Sequence, residues 1–511
     1  MGKTTKKILC LMLAAIMMFA IALTGCGEQE AGEVTPTTTQ SNASEKTEEQ
    51  QEEVKEDPVE LVWATRCSPQ DETTLVEEEL NKRLLPDINA TVKFDFIDPG
   101  TYAEKVRIKL ASNETLDVVF TSSSLADYYG DVAKGAFTEL DDLLTEYAPK
   151  SYAQIPKAFW DATRVNGKIY GFINYQIAAK NTVFTAQEDY VNKYNFDVST
   201  VTKPQDVETF LSAVKAGEDA SVIPSEGWKL GMWEDVMRYY GFEQIGPAFT
   251  PGVIRIDDTE TKVINQFESD EFKEHILMMR DWYKKGYIIK DSATFTARVQ
   301  QRGTGKLVSL FRSSKPGGNA EWEAQYGHKI VNQEIAKPIV STSSVTATMN
   351  AIPKSSSDPV RAMKLLELAN SDVEINNMIN FGIEDKHYKK VAEKRIEILE
   401  DSKYKPNRSW TFGNVFITYL QPGQEDGVWE ETIKMNEESI VSPLIGFNFN
   451  SEAVNSELTQ CLSVFDEYGP GLLTGSVDPE NYLPEFLDKL KKAGFEKIIQ
   501  EEQAQIDAWK K

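Results

Sequence analysis

The 511-residue sequence predicts an α/β protein of at least two lobes, and three observations carry that expectation. Short apolar strands alternate with amphipathic helices along most of the chain. The ~450 residues that follow a polar, charge-rich stretch exceed what one hydrophobic core serves. Strand–helix–strand units of this kind build parallel sheets with right-handed crossovers, whose ligands sit beyond the carboxyl ends of the strands.

At the N-terminus, Lys3, Lys6 and Lys7 precede an apolar run over 8–23, the layout of a secretory signal peptide. At about 16 residues the run is short of the ~20 that cross a bilayer as a helix. It ends at Leu23-Thr24-Gly25-Cys26, which resembles the lipobox of bacterial lipoproteins, where the cysteine becomes the lipid-bearing N-terminus. Residues 1–25 therefore read as the signal and Cys26 as the lipidation site. Residues 26–57 hold mostly Glu, Thr, Gln, Ser and Lys, too little apolar surface to offset the entropy of ordering, and read as a disordered acidic tether.

The globular part opens with an apolar strand over 59–64. Leu75, Val76, Leu80 and Leu84 follow at helical spacing, and Val92, Phe94 and Phe96 alternate as a strand. Thr101-Tyr102-Ala103-Glu104 has the pattern of a capping box opening a helix with Tyr102, Val106 and Leu110 on one face, and a third strand lies at 117–120. Asn166-Gly167 reads as a turn between short strands. A second set of elements follows, with helices near 187–194 and 205–216. A helix over 270–285 turns Phe272, Ile276, Met279 and Tyr283 inward and stops at Gly286. A buried strand over 306–311 and a polar turn over 312–318 come next. The last 60 residues read as mainly helical, with one helix starting at Asp478-Pro479-Glu480 and ending at Ala493-Gly494.

Composition narrows the function. The formal charge of −25 becomes −28 once Lys3, Lys6 and Lys7 leave with the signal, so nucleic acid is an unfavourable partner. After loss of Cys10 and lipidation of Cys26, Cys67 and Cys461 remain; they are free to pair in an oxidising compartment and read first as two lone buried thiols. His275, His328 and His387 show no ligand spacing, and no phosphate-loop, dinucleotide or EF-hand motif occurs, so neither metal nor cofactor is expected.

Lipobox, tether and two α/β lobes together resemble the extracellular solute-binding proteins of bacterial ABC importers, in the branch that carries sugars and oligosaccharides. Residues 166–171, Asn-Gly-Lys-Ile-Tyr-Gly, resemble a family segment before the first crossing between lobes, although Phe172-Ile173 stands where many members have Val-Pro. Residues 351–354 and 359–364 are similar to the strand and helix by which the chain re-enters the first lobe. Residues 382–388, 443–447 and 475–480 resemble the lipoprotein subgroup with an added C-terminal domain of unknown function. The resemblance implies a two-lobed fold of the periplasmic-binding-protein kind with a hinge and a helical C-terminal segment. It places lobe 1 at 58–180 and 341–430, and lobe 2 at 181–340 and 431–511. It also implies a monomeric, lipid-anchored receptor on the extracellular face of the cell membrane. Such a receptor closes on a sugar or other polar solute, leaves it chemically unchanged and presents it to the transmembrane subunits of a permease.

Sugar sites combine aromatic faces with hydrogen-bonding side chains. In the strand-end loops and at the crossings these are Arg66, Ser122, Tyr175, Gln176, Trp233, Trp410 and Asn414, with Trp410 leading the set. Trp63 reads equally as core, and Trp228 and Trp322 as partial core of the second lobe. Two other classes compete. A secreted polysaccharide-active enzyme needs two carboxylates ~5–10 Å apart, and Glu384-Asp385 and Glu425-Asp426 read instead as solvated faces; a non-transport lipoprotein such as an adhesin would bind no small solute. Metabolic labelling with a fatty-acid analogue tests the anchor: the wild type is tagged and Cys26→Ala is not, and a tagged alanine variant overturns the assignment.

Overall fold

Residues 57–511 are described by the computed structural model; the expected signal peptide, Cys26 and nearly all of the tether lie outside the described residues. The strand Val59–Arg66 organises the first sheet, running parallel to Ala90–Ile97 on one side and to Val118–Thr121 on the other. Met349–Ala351 adds antiparallel to Val118–Thr121, and Phe172–Ile173 antiparallel to it. Both faces are covered. Leu61, Trp63, Val92 and Phe94 pack against Val76, Leu80 and Leu84 of the helix Thr73–Ile88. Ala64, Val119 and Phe120 face Tyr102 and Val106 on the opposite side. Burial on two faces explains why Trp63, Ala64 and Thr65 are all closed to solvent, without the alternation of a half-exposed strand. Trp63 is core, its Nε1 donating to Asn350 Oδ1 at 3.3 Å.

The capping box expected at Thr101 does not form. Thr101 sits in the helical region (φ −118°, ψ −2°), where its side chain makes no cap bond to the helix Tyr102–Ala111; its hydroxyl donates instead to the Asp98 carbonyl. The Asn166-Gly167 turn is as expected. Both residues have positive φ, 52° and 79°, and join the antiparallel strands Arg164–Val165 and Lys168–Ile169.

The second sheet has the order Ile440–Val441, Ile330–Val340, Lys180–Gln187, Leu307–Ser314, Ile223–Ser225. Its three inner strands are antiparallel and its two outer ones pair in parallel. Leu307–Ser314 continues through Arg312, so the expected polar turn begins later. The helix Asp270–Lys285 closes at Gly286 with φ 75° and buries Phe272, Ile276 and Met279; Trp282 takes the inward place expected for Tyr283. On the same core lie the helices Asn455–Leu473, Pro479–Ala493 and Phe495–Trp509. Cys67 and Cys461 are free, buried thiols in different cores. The sheets and their cores make a two-lobed α/β fold of the periplasmic-binding-protein kind, in which the chain passes between sheets near 174–179, 341–348 and 439–442.

One carboxylate stands out in the helix Phe495–Trp509. Glu502 is closed to solvent, neither oxygen has a partner among the described residues, and a Cβ at Gly252 would lie 1.6 Å from its Oε2. Its neighbours one helical turn away on either side are Ile499 and Ile506 of an apolar cluster, and burial alone pushes its carboxyl up to about 8. The folded protein therefore holds a proton that the unfolded chain, with a carboxyl near ~4.3, releases. Glu502 thus makes stability fall as pH rises from about 4 through about 8. A melting series from about pH 5 to about pH 9 should show a shallower decline for Glu502→Gln than for the wild type; equal slopes overturn the assignment.

Candidate functional site

Three crossings meet at one place because buried amides bind them together. Asn436, in the helix Val428–Glu438, accepts from the backbone N–H of Ala178 and of Ala179 at 3.0 Å each, and its Nδ2 donates to the Gln176 carbonyl at 2.8 Å. Gln176 Nε2 donates to Thr348 Oγ1 at 2.7 Å, joining the first crossing to the second. Val340 pairs with Val441, and Thr342 Oγ1 donates to the Leu444 carbonyl while accepting from Gly446 N–H, joining the second to the third. Unpaired, these buried backbone groups would each cost on the order of 1–3 kcal/mol.

On the first lobe, Asn174 Nδ2 donates to the Trp410 carbonyl at 2.9 Å, and Asn350 Nδ2 donates to Asn174 Oδ1 at 2.8 Å. This relay holds the Trp410 loop at the carboxyl end of the strand Val118–Thr121. There the half-buried Trp410 ring meets Phe120 edge-on at 5.6 Å, with the Arg408 guanidinium 5.8 Å from its centroid. Arg66 ends the neighbouring strand at the same sheet edge, half-buried, its side chain without a hydrogen bond or ion pair among the described residues.

Facing the crossings from the second lobe is a cavity of about 500 Å³, walled by Trp233, Phe242 and Phe249 and lined with Asp235, Arg238, Glu243 and Gln244. Ser341 and Ser343 of the second crossing close it. A smaller, adjacent cavity of about 90 Å³ shares Glu243, Gln244, Ser341 and Ser343 and adds Ser123 and Tyr129 from the first lobe, so residues of both lobes border this region. Arg298 spans Glu226 and Asp235 at 2.7 Å each; even so, burial pushes the Asp235 carboxyl up to about 6.

The residues expected at the site divide. Gln176 lies on the first crossing, and Trp410 and Arg66 lie at the carboxyl ends of the first-sheet strands; all three keep part of their surface open, and none lines either of the two cavities. Four are withdrawn. Ser122 is closed to solvent, its hydroxyl accepting from Ser124 N–H and Leu125 N–H as a turn cap. Tyr175 points into the first core, its ring 4.8 Å from that of Phe416, and burial pushes its phenol up to about 12. Asn414 is buried, its oxygen accepting from Phe416 N–H and its amide donating to the Asn370 carbonyl. Trp233 edges the cavity but is 1% exposed; Nε1 donates to Gln266 Oε1 at 2.6 Å and its ring stacks on Tyr240, leaving no open face for a sugar. Missed in the sequence were Arg238 and Glu243, which no motif marks, and the clamps Asn174, Asn350 and Asn436.

The family described as "Bacterial extracellular solute-binding protein" matches residues 80–382, more than half of the chain. The chain belongs to that family. A second match, to a domain of unknown function (DUF3502), covers residues 443–511 of this solute-binding protein. A carbohydrate ABC transporter substrate-binding protein of Streptococcus pneumoniae serotype 4 (strain ATCC BAA-334 / TIGR4) is 29% identical over 443 residues, 84% of this chain and 87% of its own. Lipoprotein LipO of Bacillus subtilis (strain 168) is 22% identical over 330 residues, 58% of this chain and 61% of its own. The crystal structure of the N-glycan transport solute binding protein NgtS from Streptococcus pneumoniae superposes with a TM-score of 0.75 at 25% identity, covering 88% of this chain and 99% of that one. NgtS in complex with Man1GlcNAc gives 0.62 at 25% identity, over 88% of this chain and 99% of that one. With Man5GlcNAc it gives 0.59 at 27% identity, over 89% and 98%.

The clamp of this solute-binding protein is open to test. Asn436→Ala strands three buried backbone groups and should lower unfolding free energy by about 2–5 kcal/mol in urea denaturation. An unchanged midpoint overturns the assignment.

Proposed function

We propose that the protein is a membrane-anchored receptor that captures an oligosaccharide between its lobes and delivers it to an ABC import permease. The observation that carries this reading is the polar cavity at the crossings, walled by the second lobe and by Ser341 and Ser343, beside a smaller one that Ser123 and Tyr129 of the first lobe also line. Its size and mixed lining suit a polyhydroxylated ligand. The glycan complexes of NgtS, a relative at 25–27% identity, support the substrate class. A change of lobe arrangement on binding is in keeping with the fall in TM-score from 0.75 against NgtS alone to 0.62 and 0.59 against its two glycan complexes.

A ligand touching both lobes stabilises the closed form only by the contacts it gains there, so closure and affinity are linked. Cys26 holds the receptor to the membrane through lipid, with 26–57 as spacer. Lobe 1 takes in 58–180 and a second segment from 341, and lobe 2 takes in 181–340 and the C-terminal segment; the boundary expected at 430/431 moves to the third crossing near 439–442, because Ile433 and Met435 pack against the first core. The soluble body 57–511, titrated calorimetrically with Man5GlcNAc and a panel of neutral oligosaccharides, should bind at least one of them. It should compact in small-angle scattering and return the sugar unaltered on chromatography. Trp410→Ala should weaken that binding about thirtyfold, ~2 kcal/mol, with little change in the ligand-free melting temperature. Release of sugar products, or failure to bind any of the panel, overturns the proposal.

A further inference from the structure

Within the 500 Å³ cavity two opposite charges face the same space without touching. Arg238 follows the helix Trp233–Val236, and the chain reverses at Gly241 (φ 78°) to bring Glu243 into the strand Phe242–Gln244. No Arg238–Glu243 contact falls within 4.0 Å, yet each is close enough to feel the other's charge. Their remaining hydrogen bonds are few. The Arg238 guanidinium reaches only the Lys180 carbonyl, at 3.5 Å, so Nε and Nη2 have no acceptor among the described residues. Glu243 Oε2 accepts from the Ser442 hydroxyl at 2.5 Å, leaving Oε1 without a donor. Burial lowers the guanidinium's pKa and raises the carboxyl's, as two charges with incomplete compensation should.

We propose that Arg238 and Glu243 form a split ion pair bridged by two neighbouring hydroxyls of an uncharged sugar ring, one accepting from the guanidinium and the other donating to Glu243 Oε1. The inference rests on the oligosaccharide-receptor reading above and narrows its substrate class to neutral saccharides that present a vicinal diol. A hydroxyl both donates and accepts, so a diol meets both needs. A sugar carboxylate in the same gap only accepts, so it serves Arg238 and leaves Glu243 facing a like charge. It would also face Glu234, Asp235 and Glu243 with Arg238 as the sole uncommitted cation, since Arg298 is spent on Glu226 and Asp235. Ser442 stands on the third crossing, so the orientation of Glu243 depends on the hinge.

Calorimetry on the body 57–511 tests this with Man5GlcNAc first, then the tightest neutral glycan of the panel, and with trigalacturonate as the charged comparison. Arg238→Met and Glu243→Gln should each weaken neutral-glycan binding roughly tenfold to a hundredfold. The double variant should be little weaker than the worse single one, because one diol serves both groups. Arg238→Lys keeps the charge without the planar fork and should fall between wild type and methionine. Ligand-free melting temperatures identify any variant that fails to fold, and Glu243→Gln is nearly isosteric. If the wild type binds a neutral glycan and folded variants bind it equally well, the split pair falls and the receptor reading stands. Trigalacturonate binding as tight as the neutral glycan overturns the restriction to neutral saccharides. If the wild type binds none of the panel, the receptor reading falls and takes this inference with it.

Discussion

Asn436 is the residue on which the joint between the lobes depends. One side-chain amide accepts hydrogen bonds from two backbone N–H groups and donates one to a carbonyl, all on the first crossing, from a helix that feeds the third. Crossing segments leave their sheets and lose ladder partners, so a buried crossing needs such a partner or carries unsatisfied backbone. With Gln176 tied to Thr348 and Thr342 tied to 444–446, all three crossings share one hydrogen-bonded patch. The cleft inherits its geometry from that patch, because its walls hang from both sides of it.

Neutral amides and charges are used in different places. Asn174, Asn350 and Asn376 are buried and hydrogen-bonded, and together they position the loops around Trp410 and Asn414. An amide costs far less to bury than an ion and can donate and accept at once, which suits a hinge. Charged groups with bonding capacity to spare line the cavity. There Arg238 and Glu243 keep hydrogen-bonding capacity that the protein itself leaves unused, and such capacity can be completed by a ligand.

Local rules made much of the fold legible. Val92, Phe94 and Phe96 declare a strand by alternation, and Gly286 and Gly494 stop helices at positive φ, as their placement in the sequence implies. Asn166-Gly167 forms its hairpin because both residues tolerate positive φ. Other local patterns lost to nearer competitors. Asp98 takes the Thr101 hydroxyl before any capping box can form, and Trp282 displaces Tyr283 from the core because the indole donates to Glu208 while burying its rings. Among the site residues, Ser122, Tyr175 and Asn414 lie where strand-end and crossing logic puts them, but their side chains turn inward to cap a turn, fill a core and anchor a loop.

By itself the sequence determined an α/β protein of two lobes, the likeness to extracellular solute-binding proteins, and the strands and helices that point at a cleft. These follow from periodicity, capping and turn chemistry, which act over a few residues. Only the tertiary structure decided which side chains face that cleft. Arg238 and Glu243 come together through a chain reversal, and Glu243 is aimed by Ser442, 199 positions away. Trp410 is held out at a sheet edge by Asn174, 236 positions away. No local pattern encodes such pairings, because each is fixed by the packing of two lobes and the three strands of chain that join them.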